Sequence, residues 1–96
     1  MLFVVILTDR PNTAALRQQW LAPHLEWLKL QTAVRQAGSL RESPEAHPIG
    51  GCWIVEAPDF AAVSLLLESD PFWVNGLRET VRILQWSVAF PERLQA

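Results

Sequence analysis

The chain has 96 residues, a formal net charge of −2, and a composition that is 50% hydrophobic with five tryptophans. That length fits a single domain spanning residues 1–96, and the scattered basic residues give no footing for a nucleic-acid backbone. Cys52 is the only cysteine, which excludes an internal disulfide framework and a multi-cysteine zinc site.

Leu2 to Leu7 reads as a strand, rich in β-branched and aromatic residues and ended by Thr8-Asp9-Arg10-Pro11. The run is too short to span a bilayer. It also lacks the basic flank and small-residue cleavage site of a signal peptide, so a cytoplasmic protein with no membrane association is expected. Asn12 or Thr13 is placed to cap a helix running toward Ala37, with Gly38 as its stop. Pro23 removes a backbone donor inside that helix, which predicts a kink, or two shorter helices meeting at Leu21-Ala22. Ser39 to His47 is polar, with room for a short edge strand and a turn at Ser43-Pro44. Gly50-Gly51 then leads into a second strong strand, Cys52 to Ala57. Asp59 is placed to cap a helix over Phe60 to Glu68, and Asp70-Pro71 opens a tight turn or single helical turn ending near Gly76. The last strand is expected over Thr80 to Phe90.

The order is β-α-β-β-α-β, an α+β class of ferredoxin-like topology: an antiparallel four-stranded sheet with both helices on one face. A sheet with one wet face alternates apolar and polar residues, yet Leu2 through Leu7 is apolar on both sides. The last strand carries Val81 and Ile83 on one side and Leu84, Trp86, Val88 and Phe90 on the other. A β-bulge near Ile83-Leu84 would explain part of that switch. Both sheet faces are therefore expected to be covered. With no third layer in the chain, the cover is a second copy, as a homodimer or higher homo-oligomer.

Residues 14–37, set at 100° per residue, place Leu16, Trp20, Trp27 and Val34 on one side of an apolar face and Leu21, Leu25 and Leu28 on the other. Arg17, His24, Gln31 and Arg35 lie between them. A polar group on such a face must find a partner, since leaving it unpaired costs about 1–3 kcal/mol. His24, with tryptophans four residues before and three after, admits two readings: a structural histidine with a hydrogen-bonded partner, or a proton carrier in an apolar pocket. A catalytic imidazole also needs a group to fix its tautomer, for which Asp70 is the best candidate. Asp-Pro is equally an ordinary helix start. Arg17, Arg35 and Arg82 suit either an anionic substrate or ion pairs, with ion pairs favoured for at least two of them. Ser69 beside Asp70 is a candidate ligand hydrogen-bonder. His47 reads as an exposed loop residue and Cys52 as a strand thiol. The spacing of His24, His47 and Cys52 matches no usual metal-ligand set, so no metal is expected, and no phosphate-binding glycine loop implies a cofactor.

The Phe3-Val4-Val5-Ile6-Leu7 strand, His24-Leu25 followed by Leu28, Gly50-Gly51 before Ile54-Val55-Glu56-Ala57, Asp70-Pro71-Phe72, Gly76-Leu77 and Val81 to Trp86 together resemble the YCII family (YciI-like proteins) of the dimeric α/β-barrel superfamily. Ser39 to Pro48 departs from the glycine- and proline-containing hairpin usual in that family. The resemblance implies one YCII-like domain, a dimer, and a pocket in which His24 and Asp70 form an acid–base pair. It also implies relatives that include a dehydrochlorinase and muconolactone isomerase-type enzymes. The expected function is proton transfer of lyase or isomerase type on a small, cyclic and anionic substrate, without a cofactor. Arg17, Arg35 and Ser69 would then bind substrate. The alternative is a non-catalytic ligand-binding or accessory module of the same fold.

Overall fold

The computed structural model describes residues 1–94. Strands β1 (Leu2–Asp9), β2 (Val34–Leu40), β3 (Gly50–Glu56) and β4 (Arg78–Gln85) form one antiparallel sheet in the order β2-β3-β1-β4. Helices α1 (Ala14–Leu30), α2 (Phe60–Leu67) and α3 (Pro71–Val74) complete the ferredoxin-like pattern, followed by a 3₁₀ turn at Pro91–Leu94. Among the described residues, no helix is long and apolar enough to cross a membrane.

The pairing of Val5 with both Trp53 and Ile83 sets the faces of the sheet, because paired residues point the same way. Phe3, Val5, Leu7, Trp53 and Val55 point toward the helices and are buried with Val63 and Leu67 of α2. Phe3 meets Phe60 edge to face with ring centroids 4.8 Å apart. The opposite face carries Leu2, Val4, Ile6, Cys52, Ile54 and Leu84, all at least partly exposed in the single chain. The apolar, non-alternating β1 of the sequence thus has one covered face and one apolar face open.

The helix expected to reach Ala37 stops at Leu30, and Val34–Leu40 is an edge strand instead. Gln31 and Val34 close successive turns through backbone bonds to Leu28 and Gln31. From Val34 the chain pairs with β3, from Val34 opposite Val55 to Leu40 opposite Gly50. That non-local ladder outweighs the helical spacing, which a local window cannot detect. The edge strand expected within Ser39–His47 therefore lies earlier, and residues 41–49 form the connecting loop. Pro23 does not divide α1, which runs unbroken through it. Thr13 occupies the N-cap position, but its hydroxyl donates back to the Arg10 carbonyl.

β4 ends at Gln85, short of the expected Phe90, because β1 begins at Leu2 and offers no further partner. Trp86 N–H makes the last bond, to the Leu2 carbonyl. The bulge expected at Ile83-Leu84 lies instead near the start of β4, where Glu79 is passed over as the register shifts from Thr8 opposite Thr80 to Asp9 opposite Arg78. Asp59 caps α2 by accepting from Ala62 N–H at 2.9 Å, and the chain turns out of α3 at Gly76, two residues past Val74, with φ +77°, both as the sequence suggests.

Gly50 is fixed by close approach, since a Cβ there would collide with the Leu7 carbonyl oxygen, whereas a Cβ on Gly38 meets nothing within 4 Å. Gly50→Ala is expected to destabilise the protein by about 1–3 kcal/mol. Gly38→Ala should change stability by less than about 0.5 kcal/mol. Urea unfolding of the two variants side by side checks the contrast.

Candidate active site

On α1, the inward stripe Leu16, Arg17, Trp20, Leu21, His24, Trp27 and Leu28 repeats every three to four residues, and His24 is the one residue of the helix that is buried. Facing it, Asp70 caps α3 by accepting from Phe72 N–H at 3.1 Å, with Pro71 at the first helical position. His24 Nδ1 lies 2.7 Å from Asp70 Oδ1, and the side chains are 8% and 0% exposed. With a carboxylate accepting at Nδ1, that nitrogen carries the proton and Nε2 is left as the acceptor. The imidazole stacks on Phe72 with centroids 3.9 Å apart at 15°. Trp27 and Trp53 flank it, each with its ring centroid at 6.5 Å.

A second charged cluster lies alongside. Asp9, at the end of β1 just past the register shift, accepts from Arg78 Nη1 on Oδ1 at 2.7 Å and from Arg17 Nε on Oδ2 at 3.1 Å, and Arg17 Nη2 is ion-paired to the same Oδ2 at 2.9 Å. Arg17 Nη2 also donates to the Gly50 carbonyl at 3.1 Å. Both guanidinium carbons lie close to Phe72, 5.2 Å and 5.1 Å from its ring centroid, in cation–π range. Phe72 thereby joins the His24–Asp70 pair to the Asp9 cluster. Burial pulls the Arg78 guanidinium below its ordinary pKa, while the hydrogen bond and charge of Asp9 oppose the shift.

A cavity of about 300 Å³ lies between α1 and the sheet. His24 and Arg17 face it from the helix, Gly51 and Trp53 from β3, Arg78 from β4, and Arg41 and His47 from the 41–49 loop. Neither Asp9 nor Asp70 is part of its wall. Every charged residue in the wall is basic, and the two carboxylates stand behind it.

His24, Asp70 and Arg17 come together as the sequence suggests; Arg35 and Ser69 do not join them. Arg35 sits exposed on β2, not on a helical seam, and outside the cavity wall. The Ser69 hydroxyl accepts from Trp27 Nε1 at 3.1 Å and donates to the Leu66 carbonyl at 3.0 Å, also outside the wall. Of Arg17, Arg35 and Arg82, ion pairing to described residues is found for Arg17 alone, against the expectation of at least two. Arg35 and Arg82 are both exposed. His47 is an exposed loop residue as expected, but the loop brings it to the cavity. Asp9, Arg78 and Gly51 are site residues that the sequence does not single out as such, Asp9 standing there only in a strand stop and Gly51 only in the Gly-Gly pair before β3. Their one local signal is position, with charges at strand ends and a glycine pair at a strand start.

The model of the YCII-related domain matches residues 1–87. The chain belongs to the YCII-related family. The resemblance carried by its motifs is thereby borne out. One solved relative of this YCII-related chain is the 5-chloro-2-hydroxyhydroquinone dehydrochlorinase of Burkholderia phenoliruptrix AC1100, in complex with 2,5-dihydroxybenzoquinone. It is 27% identical, with 91% of this chain and 94% of that one aligned at a TM-score of 0.82. An antibiotic biosynthesis monooxygenase aligns over 93% of this chain and 99% of its own at 14% identity and TM-score 0.58. SnoaB, a cofactor-independent oxygenase from Streptomyces nogalater, aligns over 94% and 95% at 16% identity and TM-score 0.56. These two share the dimeric α/β-barrel type of fold and carry no argument about reaction. No protein of curated function matches the sequence.

Asp9→Ala leaves two guanidinium groups facing each other without their shared anion. It is expected to cost about 3–5 kcal/mol, as for a broken buried ion pair. Arg35→Ala should cost less than about 0.5 kcal/mol, and chemical denaturation of both variants measures the difference.

Proposed function

We propose that this YCII-related protein is an acid–base enzyme in which His24 moves a proton on a small cyclic substrate. The observation that carries the reading is the division of the pair across the cavity wall. The imidazole faces the cavity, and the fully buried Asp70 holds Nδ1 from behind at 2.7 Å. His24 is the catalytic residue and Asp70 a positioning residue that fixes the tautomer and stabilises the imidazolium. Nε2 would take a proton from carbon as the leaving group departs with the electrons of its own bond, the C–H pair forming the new double bond. This is lyase chemistry, and it agrees with the reaction named for the 27%-identical dehydrochlorinase. Trp53, Leu21, Leu25 and Leu28 of the cavity wall supply the apolar surroundings such a ring needs, and Arg17 is the substrate-binding residue retained from the sequence. The chemistry needs neither metal nor organic cofactor.

The same reading includes a homodimer built through the open sheet face, where Val4, Ile6, Ile54 and Leu84 would meet their copies. Trp86 and Phe90 extend that apolar surface beyond β4. The single Cys52, on that face, suits a reducing, cytoplasmic setting.

A second reading has its own support, because Asp70 Oδ1 also caps α3 and the pair therefore has structural work to do. In a ligand-binding module, His24→Ala would lower the melting temperature and nothing else.

Chloride release from chlorinated hydroxyhydroquinones is the assay. His24→Ala is expected to lower turnover by about 10²–10⁴-fold, the usual contribution of a general acid–base, with the far-UV circular dichroism of the wild type. Asp70→Asn should lower kcat more than it changes KM, since it acts through the imidazole. Wild-type turnover in His24→Ala would end the acid–base reading. For the assembly, sedimentation equilibrium should give about twice the 10.9 kDa of one chain. Ile54→Arg, which sets a charge on the open face, should return it to one.

A further inference from the structure

Arg78 is the least explained charge in the molecule. Its side chain is 2% exposed, at the start of β4, and it lines the cavity. Nη1 is engaged by Asp9, Nε is buried without a partner, and Nη2 donates to no acceptor among the described residues. A buried guanidinium with donors unused is costly, because each unmet polar group forfeits its hydration. What stands opposite is Gly51. A Cβ there would lie 3.4 Å from Nη2, 3.7 Å from Nη1 and 3.2 Å from the Gly38 carbonyl. The missing side chain leaves open the approach to the guanidinium.

The basic wall adds direction. Arg17 stands beside Arg78 on the same carboxylate, Arg41 and His47 line the loop side, and among the described residues no acid lines the cavity.

We propose that Arg78, with Arg17 beside it and Gly51 as the open floor, is the seat for an oxyanion on the ligand's ring, a carboxylate or an ionised ring hydroxyl. The ligand class is therefore a small cyclic oxyanion, discriminated from uncharged rings of the same shape. This rests on the cavity being the ligand site of the function proposed above. Within that function, the seat places negative charge on Arg78 while His24 handles the proton, so Arg78 determines specificity and adds electrostatic stabilisation.

Binding, rather than turnover, tests the seat. Benzoate against benzamide probes a carboxylate, and 4-nitrophenolate, above its own pKa, against 4-nitroanisole probes a ring oxyanion. Calorimetric titration should show at least one anion binding about tenfold or more tighter than its uncharged analogue, the scale of one charge-assisted contact. Which anion it is identifies the source of the charge. Gly51→Ala, which places a methyl against the guanidinium, should erase that preference while leaving the uncharged analogue within about twofold. Arg78→Met should do the same, and if it does not fold, Gly51→Ala decides alone. Equal binding of charged and uncharged rings, or an anion preference surviving in Gly51→Ala, overturns the proposal. His24→Ala should keep the anion preference, so a failure of the acid–base reading and a failure of the seat give different results.

Discussion

Asp70 is a carboxylate with no contact with water, and the geometry of the site follows from what such a group requires. An ionised carboxylate in an apolar interior is tolerated only when donors or positive charge surround it. Here one oxygen takes Phe72 N–H, the cap of α3, and His24 Nδ1. Two elements distant in sequence are thus tied to the same atom. Oδ2 has no hydrogen-bond partner among the described residues, so the pair depends on the surrounding field as well as on contacts. Attraction between Asp70 and the Arg78 guanidinium supplies part of that field. The short helix α3, four residues long, has little stability of its own. Its cap and the packing of Phe72 against His24 are what hold it in place.

Phe72 carries the constraint onward. Its ring stacks on the imidazole and lies close to both guanidinium groups of the Asp9 cluster. Moving α3 therefore disturbs the histidine pair and the arginine pair together. The β4 bulge serves the same end: passing over Glu79 shifts the register between Thr8 and Asp9 and sets Asp9 opposite Arg78 of β4, at the end of an apolar strand and within reach of Arg17 of α1. One carboxylate thereby fixes two guanidinium groups at the cavity. Without it, the like charges of Arg17 and Arg78 would repel across that short distance.

What could be read in the sequence follows from the range over which each signal acts. His24 stood out because helical spacing is local, and a polar residue inside an apolar stripe is visible within two turns. Asp70-Pro71 was visible as a helix start for the same reason. That the two meet across a separation of 46 residues needed the family's pattern as well as periodicity. Arg78 and Asp9 pair across 69 residues with no local anomaly to mark either. Gly51 likewise shows as a glycine before a strand, and its clearance beneath Arg78 exists only in three dimensions. Arg35 was misplaced by the same limit in reverse. Residues 31–35 continue a helical stripe acceptably, and only the ladder to β3 converts that segment into an edge strand. The 41–49 loop, least readable of all, turned out to carry Arg41 and His47 to the cavity.

The charges are layered, and the layering has a chemical consequence. Asp9 and Asp70 form the rear row, and Arg17, Arg78 and His24 the front row facing the cavity. With His24 neutral, the two carboxylates and the two guanidinium groups balance, so an ordered array of four charges carries no net charge. A proton arriving at Nε2 adds one positive charge to the front row, directly against Asp70. In the proposed reaction the substrate that gave it up would gain one negative charge, and the unoccupied donors of Arg78 would be the groups available to receive it. Charge separated by proton transfer would therefore be met at both ends by partners already in place, which removes the reorganisation that water would require. An inverted layering, with carboxylates in the wall and guanidiniums behind, would hold the fold as firmly. It would also oppose each charge that proton abstraction creates in the substrate. The order of the two rows, more than the number of ion pairs, is what favours the proposed acid–base reading of this cavity.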